Sequence, residues 1–488
     1  MIVKTPGVID EIAAGGIHAW LRPLRVFFAP TATTPMLDEV LAGLKRAFSL
    51  CGHTVQDVPT DETDLVFTTV AFGKPISWRD SFMFVGRRKL GIRHSPTVYT
   101  LMHVTPAEWQ ELVAHFERAL SKESPDLADY SFPGLAPTAY RTLIEQGRRG
   151  GPILAMQRML QAQAMCLRLV PVIGEDRPLC AYHFDLVGSM ARSDGASDGF
   201  YNDIVVRAAT AVCAADIGPT EVVPPAILRQ EWEEMSGAPA MHRAGLELGR
   251  RNFFTEMVRI ADLAHVPAIS DSVAAQYSEG CFATWEPRVK GLISTITGSA
   301  RPVDKARITD DDLAVIVGVR LADHAVYVRQ VEGLRNDKPS SEAFEMAEMD
   351  NSLPWITPHQ SWGISDPVPV TRSKLHGHRG VAAYDAGSVE YLPIGETYFR
   401  YPVTCGTQQQ AESIRATFAL SEALRNPEDP RQLAFTLLPT HGVFVAEKWV
   451  PGKVPFQAIW EAMDAGQLQI TSIVPQGPEI FAPPGVAR

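Results

Sequence analysis

The sequence predicts an α/β fold, and the order of its hydrophobic patterns indicates this class. Between residues 25 and 121, apolar strand patterns such as Arg25-VFFAP alternate with amphipathic helix patterns, as in a doubly wound sheet. The alternation starts again with a helix pattern at 153–166, and short strands replace it from about residue 266. We therefore expect an N-terminal α/β domain at 1–150, a second α/β domain at 151–265 and a C-terminal domain with a mixed β core at 266–488.

In the first expected domain, apolar residues at helical spacing predict a helix at 36–51. Strand patterns begin at Thr54, Leu65 and Thr97, and a helix is expected from Pro106 because proline suits the first turn of a helix. The second domain is expected to hold strands at 167–174, 181–188 and 221–225 and helices at 203–215, 227–235 and 241–264.

The C-terminal domain is expected to begin with a hairpin at 313–333, which turns at residues 322–324. Thr407 and Gln410 have the spacing of a capping box, so a helix is predicted after Thr407. Further strands are predicted from Val389, Tyr398, Leu433 and Val443, and a last helix at 456–465.

Composition excludes several classes of function. The 488 residues carry a net charge of -11, and a broadly acidic surface argues against nucleic acid as a partner. No run of about 18 apolar residues is present, so no membrane partner is expected, and Asp10 and Glu11 interrupt any signal-peptide core. The six cysteines form no C-x-x-C pair, which favours reduced thiols in the cytoplasm. We expect a cytoplasmic protein with a small-molecule substrate.

The first candidate constellation consists of Glu286, Asp304 and His441. Two carboxylates and an imidazole are ligands with which a hard divalent ion, Mn²⁺ or Mg²⁺, could hold a polyol oxygen. The apolar run that follows Glu286 resembles a helix. The alternative is therefore an ordinary helix N-terminus, where Glu286 and Pro287 are favoured by the dipole and by the fixed φ of proline.

The second constellation is the segment Arg372-SKLHGHRG. His376 and His378 are two residues apart, so on a strand they share one face and could share a metal ion. Gly377 would allow a close backbone approach, and Arg372, Lys374 and Arg379 add positive charge suited to a carboxylate or phosphate. We therefore expect His376, His378 and Arg379 to bind substrate. No glutamate stands at a spacing that completes a known motif, and two exposed loop histidines without a ligand are the alternative.

Two further segments have both a functional and a structural interpretation. Cys405 precedes a predicted helix, whose N-terminus would favour the thiolate, and could act as a nucleophile with His441 or His376 as base. The alternative is a small buried cysteine. The polar run from Asn336 to Glu342 could hydrogen-bond a polyol or could form a turn and a capped helix. Dinucleotide, P-loop, hydrolase-elbow and zincin motifs are absent.

The Glu286 region resembles the L-fucose/L-arabinose isomerase superfamily. Gly291 follows Glu286 by five residues, a Gly-Ser-Ala-Arg-Pro turn comes next, and Asp304 follows it. His441 stands before an apolar strand and a closing helix, as the last metal-binding histidine of that family does. The resemblance implies two flavodoxin-like α/β domains followed by a C-terminal domain with a β core.

The same resemblance implies an aldose-ketose isomerase of carbohydrate metabolism. Glu286, Asp304 and His441 would bind Mn²⁺ or Mg²⁺, the two carboxylates would serve catalysis, and Arg301 would contact substrate. Trp285 stands where the family usually has cysteine, and the family's His-Cys-Gly segment is absent. A non-catalytic relative that binds a ligand or a partner is therefore the third hypothesis.

The resemblance also implies a homo-oligomer, since that architecture completes its cleft with a neighbouring subunit. The segment 335–372 carries Trp355 and Trp362 among several prolines, which is too apolar for a free solvent loop. We expect one of these tryptophans to be buried by another subunit or by the cleft that holds His376 and His378. Burial within the chain is the alternative.

Overall fold

The computed structural model describes residues 22–30, 34–71, 97–121, 167–184, 190–215, 220–254, 280–296, 305–320, 325–334, 339–340, 342–349, 369–395, 408–438 and 442–471. Contacts divide the chain into two compact units. The described residues up to Ala215 belong to the N-terminal unit, and those from Thr220 onward belong to the C-terminal unit. Both units combine helices with a sheet, so the α/β class predicted from the sequence is confirmed.

The N-terminal unit contains seven described strands and three described helices. In chain order they are β1 Arg25–Ala29, α1 Pro35–Leu50, β2 Thr54–Gln56, β3 Leu65–Ala71, β4 Thr97–His103, α2 Pro106–Ser121, β5 Leu167–Ile173, β6 Pro178–Phe184, β7 Met190–Asp194 and α3 Phe200–Ala215.

These strands form one sheet in the order β2-β1-β3-β4-β5-β6-β7. The first five are parallel to one another, and β6 and β7 pair antiparallel at one side. Apolar residues of α1 and α3 pack against this sheet in one core. Thr34 caps α1, where its side-chain oxygen accepts from the Leu37 amide.

The single sheet differs from the expectation of separate sheets before and after residue 151. The physical reason is that β5 pairs parallel with β4, and β6 and β7 then extend the same sheet as a meander. The expected domain boundaries near 150 and 265 lie outside the described residues, and that division stays a prediction.

The C-terminal unit contains eleven described strands and six described α-helices. They are β8 Thr220–Val222, α4 Arg229–Glu233, α5 Gly237–Arg250, β9 Cys281–Glu286, β10 Gly291–Thr295, β11 Leu313–Arg320, β12 Ala325–Arg329, α6 Ala343–Glu348, β13 Thr371–Gly377, β14 Gly380–Tyr384, β15 Val389–Tyr391, α7 Gln408–Phe418, α8 Glu422–Arg425, β16 Leu433–Leu438, β17 Gly442–Lys448, α9 Gln457–Asp464 and β18 Leu468–Thr471. Two short 3₁₀ helices, Lys305–Arg307 and Asp310–Asp312, precede β11.

Nine of these strands form a mixed sheet in the order β15-β16-β17-β13-β9-β10-β11-β12-β8, and β14 pairs with β18. Neighbouring residues of a strand face opposite sides, so Leu292 and Ile293 of β10 belong to different cores. Ile293 packs with residues of α5 and α9, whereas Leu292 packs with residues of α6 and α7. The sheet therefore lies between two helical layers, and β13 and β9 are central strands.

Two predicted elements are wrong in this unit. The apolar run after Glu286 is not a helix but the hairpin of β9 and β10, which turns at Lys290, a residue with φ of 49°. Ile293 and Thr295 in this run suit a strand because their β-branched side chains favour extended backbone. The helix expected at 241–264 is α5, which ends at Arg250 because Asn252 adopts a left-handed φ of 51° and Phe253 donates to the Leu248 carbonyl.

Other predicted elements are confirmed. The hairpin expected at 313–333 is the antiparallel pair β11 and β12. The last helix expected at 456–465 is α9. The strand expected from Tyr398 and the capping residue Thr407 lie outside the described residues. Among the described helices, none is long and apolar enough to cross a membrane.

Candidate metal centre

The strand β13 places a histidine in the interior of the C-terminal unit. Lys374 and His376 share one face of this strand, and both are fully buried. His376 lies opposite Cys281 of β9 and opposite Phe444 of β17. The imidazole stacks on the Phe444 ring, with 4.1 Å between ring centroids. Sheet pairing on both sides therefore fixes the position of His376.

Two contacts orient the His376 ring. Its Nδ1 lies 3.1 Å from the backbone oxygen of Val443. Since a carbonyl oxygen only accepts hydrogen bonds, Nδ1 carries the hydrogen. Its Nε2 lies 3.1 Å from Oε1 of Glu342. Nε2 can donate a second proton to this carboxylate, or it can offer its lone pair to a cation that the carboxylate also binds.

Glu342 and His378 complete a buried cluster with His376. One ligand atom from each of the three residues lies within 4.8 Å of the other two. Glu342 is the residue that precedes α6, and His378 directly follows β13. The exposed fractions of Glu342, His376 and His378 are 4%, 0% and 5%. Burying a carboxylate requires partners, and two imidazoles or a cation meet that need.

A thiol contacts the same carboxylate from the neighbouring strand. The Cys281 Sγ donates to Oε2 of Glu342 at 3.2 Å. Burial raises the pKa of this thiol well above its ordinary value, and the Glu342 carboxylate raises that pKa further. The thiol therefore keeps its proton beside the carboxylate. The two oxygens of Glu342 thus have different partners, His376 at Oε1 and Cys281 at Oε2.

Gly377 separates the two histidines because a larger residue would not fit there. A Cβ atom at this position would lie 2.5 Å from Cε1 of the Phe253 ring. On the other side, Gly442 at the start of β17 has a φ of 150°, and its backbone lies against the Gly377 carbonyl. The expectation that Gly377 permits a close approach is confirmed.

The short helix α6 is attached to β13 at a second place. The fully buried Lys374 donates from Nζ to the backbone oxygen of Met346 at 2.5 Å. Glu342 precedes the same helix by one residue. The strand that carries His376 and leads into His378 is thus joined to the helix that positions the carboxylate by two buried polar contacts.

The cluster fits a divalent ion by the chemistry of its donor set. Two imidazoles and one carboxylate on a fixed backbone are a common protein ligand set for transition metals, with remaining positions for water or substrate. The Nδ1 contact of His376 with a carbonyl is the outer interaction that orients metal-binding histidines. Among the described residues, this is the group with the residue types and spacing of a metal site.

No protein-family model matches this chain, and a comparison with curated proteins found no match. The inference of function consequently depends on the geometry of the site.

Of the residues predicted from the sequence, His376 and His378 come together as expected, with Glu342 as the third member. Arg379 is buried and donates to backbone oxygens of Asn252, Phe253 and Phe254 beyond the end of α5. Its expected role in binding substrate stays a prediction.

Glu286 lies at the end of β9, where it contacts the first turn of α5. Its Oε2 accepts from the Gly237 amide at 2.9 Å, and its Oε1 accepts from the Arg288 amide at 3.1 Å. This contact satisfies an N–H at the start of α5, so Glu286 has a clear structural role. Arg301, Asp304, Cys405 and His441 lie outside the described residues, as do Trp355 and Trp362.

The sequence does not identify Glu342 as a ligand, Cys281 as its neighbour or Lys374 as the residue that attaches α6 to β13. The local pattern around Glu342 indicates only a polyol-binding loop or a turn before a capped helix. The one available signal is the alternation Arg-Ser-Lys-Leu-His at the start of β13, which puts ionisable side chains on a single face of a central strand. Such a face requires buried partners, and an acidic residue such as Glu342 is a suitable one.

Proposed function

We propose that this protein is a metal-dependent enzyme that acts on a small polyhydroxylated molecule, a sugar or polyol. The observation that carries the proposal is the convergence of Glu342, His376 and His378 in the interior of the C-terminal unit. Three protein ligands leave positions at which an ion can take substrate oxygens. The site consequently differs from the Glu286, Asp304 and His441 set expected from sequence resemblance.

The ion would supply Lewis-acid polarisation of a carbonyl and a neighbouring hydroxyl. The chain would hold it through His376 and His378 on one side and Glu342 on the other. Glu345 is buried and stands one helical turn after Glu342, so the two carboxylates point to the same side of α6. We assign Glu345 as the group that would move a proton between adjacent carbons, as an aldose-ketose isomerase requires.

The proposal extends to the fold, the location and the assembly of the protein, which the resemblance to the isomerase superfamily also implies. The parallel order β2-β1-β3-β4-β5 supports a flavodoxin-like arrangement in the N-terminal unit. We also propose the division into two flavodoxin-like domains and a C-terminal domain, a cytoplasmic location, and a homo-oligomer that completes the cleft.

Two alternatives make different predictions. An enzyme with Cys405 as nucleophile would lose activity with a thiol reagent and keep it with a chelator. A non-catalytic relative would bind a sugar without converting it. Metal-dependent catalysis requires that a chelator abolishes activity and that a divalent ion restores it.

The decisive experiment measures bound metal and activity on the full-length protein. Metal-free protein is reloaded with single divalent ions and tested against a panel of aldoses, ketoses and polyols. We expect Glu342→Gln and His378→Gln to lose bound metal and at least tenfold of activity. Glu461→Gln changes an exposed glutamate of α9 and is the matched control. Full metal content in Glu342→Gln would refute the site.

A further inference from the structure

The donor set indicates which class of ion the proposed centre takes, and this inference rests on the proposed metal function. Hard ions such as Mg²⁺ and Ca²⁺ prefer oxygen ligands, and Mg²⁺ keeps several waters. Imidazole nitrogen suits Zn²⁺, Fe²⁺, Ni²⁺ and Cu²⁺. Here two of the three ligands, His376 and His378, are imidazoles, and only Glu342 offers oxygen. The Mn²⁺ or Mg²⁺ expected for two carboxylates and one imidazole is therefore not the ion that these residues favour.

The coordination mode of the carboxylate is also indicated. Cys281 Sγ lies 3.2 Å from Oε2 of Glu342, while Nε2 of His376 lies 3.1 Å from Oε1. A thiol hydrogen bond to Oε2 holds the carboxylate plane and leaves Oε1 directed toward the imidazole. A bidentate carboxylate would also need a lone pair of Oε2, and the thiol hydrogen bond competes for that oxygen.

The backbone determines the position of this thiol. Cys281 and His376 are direct partners in the antiparallel pair of β9 and β13, so their side chains stand next to each other on one face. Both residues are fully buried, and the cysteine cannot turn toward solvent. The cluster with mutual distances within 4.8 Å consists of Glu342, His376 and His378, so Cys281 touches a ligand and is not itself in that set.

We propose that the centre selects a nitrogen-preferring transition ion such as Zn²⁺, Co²⁺ or Fe²⁺, and that Cys281 is a positioning residue that confines Glu342 to coordination through one oxygen. Outer hydrogen bonds of this kind orient ligands, and their loss typically costs about 10- to 100-fold in metal affinity.

The experiment is a titration of the metal-free, full-length protein with Co²⁺, followed by its visible spectrum, and competition with Zn²⁺ and Mg²⁺. We expect Zn²⁺ and Co²⁺ to bind at least 100-fold more tightly than Mg²⁺. Cys281→Ser keeps a donor to Oε2 and should stay within a few-fold of wild type. Cys281→Ala removes the donor and should weaken Co²⁺ binding about tenfold or more, with altered d–d bands.

Cys180 of β6, another buried free cysteine, provides the matched control Cys180→Ser, which should change neither affinity nor spectrum. Equal affinity for Mg²⁺ and Zn²⁺, or a Cys281→Ala protein that binds and absorbs like wild type, would overturn the inference. A thiolate-to-cobalt charge-transfer band that vanishes in Cys281→Ser would also overturn it, because Cys281 would then be a ligand. Absence of all metal binding would instead defeat the proposed function itself.

Discussion

The ammonium of Lys374 donates to the backbone oxygen of Met346 at 2.5 Å, which attaches the helix α6 to the strand β13. Both elements also carry members of the buried cluster, Glu342 before α6 and His376 on β13. This contact between a lysine and a carbonyl therefore helps to set the distance between the Glu342 carboxylate and the His376 imidazole.

We predict that Lys374→Met weakens metal binding about tenfold, because outer interactions of ligands are typically of this size. It should also lower the free energy of unfolding by about 1–3 kcal/mol, since a buried carbonyl loses a charged donor. Isothermal titration with Zn²⁺ and urea unfolding measure the two effects.

Lys448→Met is the control for Lys374→Met. Lys448 is also buried, and its Nζ donates to the backbone oxygens of Asn426 at 2.7 Å and Asp429 at 3.0 Å, at another place in the same unit. It should lose stability without a change in metal affinity. Equal effects of the two variants on metal affinity would contradict the role assigned to Lys374.

Glu286→Gln distinguishes the carboxylate expected from sequence resemblance from the one that the structure brings to the histidines. The substitution removes a charge from the start of α5 and should cost about 1–2 kcal/mol of stability. Metal content should stay at the wild-type level. Glu342→Gln should show the opposite pattern of metal loss in the same assay. Loss of metal from Glu286→Gln would show that Glu286 is a ligand and would contradict the site at Glu342.

Gly377→Ala should disturb both packing and the histidine pair. The added Cβ would lie 2.5 Å from the Phe253 ring, so we expect a loss of about 1–3 kcal/mol and weaker metal binding. A double-mutant cycle with Phe253→Leu measures the clash, and a favourable coupling energy is expected. Gly395→Ala, where no heavy atom lies within 4 Å of the new Cβ, should be near neutral. Additive effects of Gly377→Ala and Phe253→Leu would refute the clash.

His183 of β6 predicts a pH dependence of stability in the N-terminal unit. Burial, and then the charge of Arg207, lowers the pKa of this imidazole to about 3. In the part of the chain that the structure describes, neither ring nitrogen has a hydrogen-bond partner. In the unfolded chain the His183 imidazole binds a proton near pH 6.5, whereas in the folded chain it binds one only near pH 3. Stability is therefore full above pH 6.5 and falls as the pH decreases toward 3, by up to about 1.4 kcal/mol per unit.

Urea unfolding at pH 7 and pH 5 tests this linkage. We expect wild type to lose about 2 kcal/mol more than His183→Leu over this interval. An unchanged slope in His183→Leu would show that the buried imidazole is not the source.

Local patterns explain which parts of the fold could be predicted. The helix α1 and the hairpin of β11 and β12 follow from residues that are neighbours in sequence, so their periodicity shows in the sequence alone. The helix expected after Glu286 is wrong because a short apolar segment fits a strand or a helix equally well. Only the pairing of β9 with β10 decides between them.

Of the site, only the two histidines near the end of β13 could be predicted from the sequence. The spacing of His376 and His378 shows in the sequence because a strand repeats every second residue. Glu342 and Cys281 are brought to them by the order of strands and by α6, and these two residues are 61 positions apart. A single sequence contains no local signal for such a pairing, since it depends on which strands become neighbours.

The sequence separation of the cluster has a consequence for the order of folding. Cys281 meets Glu342 across 61 residues, and His376 meets the Val443 carbonyl across 67. Closing loops of this length costs entropy before any contact compensates for it, so these contacts form slowly compared with the helices. We therefore expect the cluster to be assembled late, after its neighbouring strands have paired, so that an ion would bind to a largely formed site.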